Sequence, residues 1–170
     1  MVTVRPKGPA ESLGPRYSLS LNTGRIRDQW HTMTRTALSP ALCRHIPEPY
    51  VEIHPLDAAA SGVTDGRLTC VETAKGQAVV LAKLTDRQRR GSIFMPMHWT
   101  DAFAPAGRAN AMVSGPVDSS SGQPEFKHAP VAVEPYAAGW YGFVLARECI
   151  DSHAAEYWTR VRAKACWRHE

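Results

Sequence analysis

From Asn22 to Thr36 the chain reads Asn-Thr-Gly-Arg-Ile-Arg-Asp-Gln-Trp-His-Thr-Met-Thr-Arg-Thr, its densest collection of groups able to hold an anion. Gly24 permits close backbone approach, Thr23, Thr32, Thr34 and Thr36 offer hydroxyls, and Arg25, Arg27 and Arg35 offer guanidinium groups. Backbone amides and hydroxyls satisfy phosphate oxygens, and arginine adds paired, charge-assisted bonds. A carboxylate such as Asp28 can accept from a guanine-type N–H edge, as acids do from base amino groups. The same residues also suit a polar hairpin with surface arginines, and residue types alone leave both readings open.

Other chemistries find less support. His31 and His98 stand outside any zinc-finger spacing and read as hydrogen-bonding residues, so no metal ligand is assigned. Ser119-Ser120-Ser121 reads as loop; there is no G-x-S-x-G elbow, P-loop or G-x-G-x-x-G. Cys43 lies beside Arg44 and His45, which can activate a thiol, but an inert cysteine is the expectation.

The elements around these residues are short strands. Tyr17–Leu21 alternates apolar with polar residues, and Asn22-Thr23-Gly24 reads as the turn that ends it. Further strands are expected at 51–53, 67–73, 77–85, 92–97 and 129–134, with turns at Asp65-Gly66 and Lys75-Gly76. Pro55 to Gly62 reads as a brief helix, opened by proline, with Asp57 in its first turn and closed by glycine. Thr100 to Lys127 is a long polar loop of the kind that usually carries function. Six short strands and one helix argue for a mainly β fold, a closed or partly closed barrel. Residues 1–16 read as an extended lead-in, 17–135 as the barrel, and 136–170 as an aromatic and basic tail, helical around Ala154–Ala165. That tail is expected to pack on the barrel or on a neighbouring domain.

At 170 residues, 44% hydrophobic and 21% charged, the chain suits one domain with an appendage and not a disordered polymer. Residues 1–45 hold seven cations and two acids, a net +5 that leaves −1 for the other 125 residues. A positive front end favours an anionic partner. Stacking aromatics are sparse there (Tyr17, Trp30), so nucleic acid is not the expected one. No apolar run nears the roughly 20 residues of a membrane span, and none is expected. Cys43, Cys70, Cys149 and Cys166 are far apart with no C-x-x-C, so a reducing cytoplasmic setting is expected.

The run from Thr23 to Thr36 resembles the dinucleotide-binding segment of molybdenum oxidoreductases of the dimethyl-sulfoxide-reductase superfamily. Later stretches resemble the same family in order: Pro49 to Ala58, Gly62 to Gly66 with Val71 to Gly76, Gly91 to Trp99, and Gln123 to Lys127. The run Arg27 to Thr36, Pro96-Met97-His98-Trp99-Thr100-Asp101 and the tail Gly139-Trp140-Tyr141-Gly142-Phe143, with Tyr157-Trp158 and Trp167-Arg168, are most similar to assimilatory nitrate reductase catalytic subunits.

The resemblance implies a double-psi β-barrel that binds molybdopterin guanine dinucleotide, the molybdenum cofactor. It implies cofactor contacts at Thr23, Gly24, Arg25, Ile26, Arg27, Asp28, Gln29, Trp30, His31, Thr32, Asn110 and Lys127, and a substrate-proximal aromatic at Phe103. It further implies nitrate reduction to nitrite in the cytoplasm, with the other domains of the oxidoreductase and an electron-donor protein as partners. A formate dehydrogenase or other bis-molybdopterin enzyme, or a stand-alone barrel acting as an interaction module, are the alternatives. The family's cysteines for an iron–sulfur cluster and for molybdenum have no counterpart here, and Ala37 replaces a more usual glycine. The chain is therefore expected to be a C-terminal portion of such an enzyme, begun at a truncated Met1 and without catalysis of its own.

Overall fold

The computed structural model describes residues 8–113, 115–148, 150, 155–164 and 166–169. Residues 1–7 of the expected lead-in, Cys149, and both ends of the expected tail helix, Ala154 and Ala165, lie outside them.

Six strands close a barrel: β1 (Leu19–Gly24), β2 (Tyr50–Ile53), β3 (Leu68–Glu72), β4 (Gln77–Leu84), β5 (Ser92–Pro96) and β6 (Pro130–Pro135), in the order β1-β5-β2-β4-β3-β6. The pairs β1/β5 and β2/β4 are parallel, and the other four contacts are antiparallel. Alternate residues of these strands fill the interior: Leu19, Leu21, Val51, Ile53, Val71, Val80, Ile93, Met95, Val131 and Val133 are buried together. These strands were legible from alternation in some and from an apolar run, Val79-Val80-Leu81, in β4. This is the mainly β, closed-barrel architecture expected, and it accords with a double-psi barrel.

Three expectations need correction. β1 does not break at Asn22-Thr23-Gly24; its parallel ladder continues as Thr23↔Met95 and Gly24↔Pro96. Pairing with β5 outweighs the turn preference of Asn-Thr-Gly. The tail is not helical at Arg160–Arg162, which is a strand (β8) in a three-stranded sheet with β7 (Val144–Ala146) and β9 (Trp167–His169), ordered β7-β9-β8. Finally, among the described residues α-helix occurs at two places, besides short 3-10 turns: α1 (Pro40–Cys43) went unforeseen, while α2 (Pro55–Ala60) matches the proline-led helix expected.

A second, smaller core lies outside the barrel. Met33, Ala37, Cys43, Trp99, Ala104 and Val161 are buried together, with Ile26, Ile46 and Phe103 against them. It joins the 25–49 segment, the 97–104 segment and β8, so the tail packs on this chain's own loops. Arg160 N–H donates to the Phe103 carbonyl, and its guanidinium lies 6.0 Å from the Phe103 ring centre and 5.8 Å from that of Trp158.

Candidate dinucleotide site at one barrel mouth

Strand polarity decides which loops meet. β1, β3 and β5 run one way and β2, β4 and β6 the other. Gly24, Glu72 and Pro96 therefore end at the same mouth where Tyr50, Gln77 and Pro130 begin. Three connections open there: 25–49, 73–76 and 97–129. Every residue singled out from the sequence (23–32, Phe103, Asn110 and Lys127) is on or beside that mouth, whereas α2 caps the opposite one.

Lys127 and the end of β1 are drawn together. The Lys127 ammonium donates to the Thr23 carbonyl and stands 3.7 Å from where a Cβ on Gly24 would be. Thr23 is locked by two bonds to the Phe126 carbonyl, from its N–H at 3.1 Å and its hydroxyl at 2.8 Å. An ammonium has three donors, so this contact leaves capacity for an anion. The close approach that Gly24 permits is made by Phe94, whose ring edge would lie 2.8 Å from an added Cβ. Asn22, opposite Phe94 in the ladder, keeps a buried side-chain oxygen without a partner.

The 25–32 segment leaves the barrel as an irregular loop. The Arg25 guanidinium lies 5.4 Å from the Trp30 ring centre, and that indole is 58% exposed. Gln29 is buried; its carbonyl oxygen accepts the Thr36 hydroxyl at 2.7 Å and its amide nitrogen is unpartnered. Thr32 and Thr34 share a hydroxyl bond of 3.0 Å. Asp28 is already engaged: Arg27 bonds both its oxygens, at 2.9 and 3.2 Å, and His45 Nδ1 stands 2.9 Å from one of them. Those two neighbours, Arg27 foremost, pull its pKa down to about 2. Burial depresses the His98 imidazole, and it pushes the Cys43 thiol up, as an inert cysteine requires.

Asn110 sits elsewhere on the rim. It is exposed on a 3-10 turn, Ala109–Ala111, whose buried neighbours Ala109 and Met112 plug the barrel core. That turn lies against the start of β4, the strand opposite β1 in the barrel order. Phe103 is half-buried under Arg160 at the edge of the second core. The donor set suits an elongated ligand with phosphates and a flat ring: guanidinium and ammonium groups, hydroxyls and an exposed indole on one side, an amide on the other. His98 is the hydrogen-bonding histidine expected, whereas the second core is what residue patterns missed as scaffold; its signal was an apolar residue count in loops, which has no period.

Residues 19–130 match the family described as "Molydopterin dinucleotide binding domain". The chain is 42% identical over 164 residues to "Nitrate reductase" of Klebsiella oxytoca, a match covering 96% of this chain and 19% of that protein. It is 35% identical to "F420-dependent formate dehydrogenase 1 subunit alpha" of Methanococcus maripaludis, over 74% of this chain and 18% of that one. Acetylene hydratase from Pelobacter acetylenicus superposes with a TM-score of 0.60 at 20% identity, over 71% of this chain and 18% of that structure, a likeness of fold. The chain thus spans less than a fifth of the length of the curated relatives it matches. A barrel whose 25–49 and 97–129 loops share one mouth, matched across 19–130, belongs to the molybdopterin dinucleotide-binding domain family.

Proposed function

We propose that this chain grips one guanine dinucleotide arm of a bis-molybdopterin cofactor within a cytoplasmic, assimilatory nitrate reductase. The observation that carries the reading is the Lys127 ammonium held beside Gly24 at the root of the 25–32 loop. When bound, the cofactor would supply the oxygen-atom transfer from nitrate at molybdenum, with electrons arriving through an iron–sulfur cluster elsewhere in the enzyme. This chain's residues bind and orient. Lys127, Arg25 and the Thr32 hydroxyl meet phosphate oxygens, Trp30 offers its exposed face to a ring, and Asn110 pairs with a polar edge across the mouth. Thr23, Ile26, Gln29 and His31 shape the segment, and Phe103 lies toward the substrate side. Arg27 and Asp28 present a paired charge, so a guanine edge competes with Arg27 and His45 for the Asp28 oxygens. The chain by itself does no catalysis; the remaining domains and an electron donor complete the enzyme.

Titration calorimetry of the full chain with guanosine diphosphate tests this reading. Saturable binding is expected, weakened about tenfold by Lys127→Met through loss of a charge-assisted bond. No heat from the wild type, or equal binding by the variant, would overturn it. The formate dehydrogenase likeness supports a second reading of the same site in a formate-oxidising enzyme. Nitrate-dependent against formate-dependent turnover of the whole protein separates the two.

A further inference from the structure

The parallel ladder of β1 and β5 ends at Gly24↔Pro96, and the two chains then part. Met97 N–H still donates to the Gly24 carbonyl, at 2.9 Å. One step on, where residue 98 would face residue 26, a side chain takes over from the backbone. His98 is fully buried, and its Nε2 accepts the Ile26 N–H at 3.0 Å. Its other nitrogen, Nδ1, lies 2.7 Å from the His31 carbonyl. An amide only donates and a carbonyl only accepts, so the ring is neutral with its proton on Nδ1.

Those two bonds hold opposite ends of the arc 26–31. The arc has need of an external tie, because it closes at a non-glycine residue at positive φ, His31 (41°), with a second, Met33 (63°), two residues beyond, conformations that persist when the surroundings impose them. Lysine, asparagine or glutamine would each lack one of the two functions at this reach.

We propose that His98 is the positioning residue of the 26–31 arc, a neutral imidazole clasp that fixes the spacing of its two ends and so presents Arg27 to Trp30 at the barrel mouth. What the arc presents those groups to rests on the dinucleotide reading above; the clasp itself does not.

Two substitutions split the ring's roles in the full chain. Asparagine can imitate Nδ1 but not reach Nε2, and glutamine the reverse. In His98→Asn the Ile26 amide is expected to exchange with deuterium about tenfold faster, and guanosine diphosphate affinity to fall by a similar factor. In His98→Gln, Ile26 keeps its protection, and affinity recovers at least in part. Unchanged Ile26 exchange in His98→Asn, or equal loss in both variants, would overturn the clasp. If the exchange pattern splits as expected while the wild type binds no guanosine diphosphate, the clasp stands and the dinucleotide reading falls. Should His98→Asn fail to fold, nitrogen NMR of the wild-type ring decides: a proton on Nδ1 with Nε2 accepting supports the proposal, and a charged ring or the opposite tautomer at pH 7.5 overturns it.

Discussion

Gly76→Ala tests how the rim of the barrel holds Asn110. Gly76 closes the β3–β4 hairpin, where its carbonyl accepts the Thr73 N–H at 2.8 Å. A methyl at Gly76 would lie 2.6 Å from the Ala111 carbonyl oxygen and 3.4 Å from its carbon. Ordinary contact needs about 3.5 Å, so one backbone must retreat by most of an ångström. Neither moves freely. Thr73, beside Gly76, also donates its hydroxyl to the Met112 carbonyl at 3.1 Å, and Met112 is sealed in the core. Such overpacking costs about 1–3 kcal/mol. For a domain of this size that lowers the melting temperature by about 2–4 °C per kcal/mol. The displaced turn carries Asn110, so guanosine diphosphate affinity should fall with it. Thermal melting by circular dichroism reads the first effect and calorimetry the second, with Gly139→Ala, which meets open space, as the control. A Gly76→Ala melting point equal to that of the control would refute the steric reasoning.

Other perturbations divide stability from binding. Trp30→Ala should leave unfolding free energy within about 1 kcal/mol of the wild type, since the ring is exposed and loses the Arg25 contact and an edge-on contact with the His31 ring. It should nonetheless weaken guanosine diphosphate binding severalfold by calorimetry. Val161→Ala deletes two buried methyl-sized groups from the second core and should cost about 1.5–2.5 kcal/mol by urea titration. Limited proteolysis should then cut within 25–49 sooner than in the wild type. Acid should loosen the fold through His98, whose folded-state pKa is held below its ordinary 6.5 by burial, with the charges of Arg25 and His31 adding to it. The neutral ring's contribution is full above 6.5 and is lost as pH falls through the lower folded-state value. Urea midpoints from pH 7.5 to 5 should therefore drop more steeply for the wild type than for His98→Gln, which keeps only the similar contribution of buried His169.

The barrel was legible because its strands are short apolar stretches set between turn signals, alternating at 92–96 and running apolar through Val79-Val80-Leu81; three successive residues of both 68–72 and 77–84 are buried. The end of β1 was not, since Asn22-Thr23-Gly24 carries the local chemistry of a turn and its strand state comes from β5, some 70 residues away. The tail misled for the reverse reason. Tyr157, Trp158 and Val161 fall at helical spacing, yet Val161 is buried because β8 pairs with β9 and covers Met33 and Trp99. The candidate site itself was visible as residue types in 23–32. What those residues touch was hidden, because His98, Phe94 and Phe126 reach them through the fold and not through spacing.

Asp28 shows what this costs a reading made from residue types. As a lone carboxylate it suits the amino edge of guanine. In the fold it is the acceptor that Arg27 and His45 share, with a pKa drawn down to about 2, so it stays charged at neutral pH. A guanine edge would meet a carboxylate that already accepts three hydrogen bonds, so its gain would be smaller than at a free carboxylate. His45→Ala removes one of the three hydrogen bonds Asp28 accepts, along with the 3.3 Å contact between His45 Nδ1 and the Arg27 guanidinium. If Asp28 contacts the base, His45→Ala should tighten guanosine diphosphate binding and leave adenosine diphosphate unaffected in paired calorimetric titrations. If it instead only braces Arg27, both nucleotides should respond alike, and discrimination between the bases must lie with Trp30, Asn110 or the backbone of the arc.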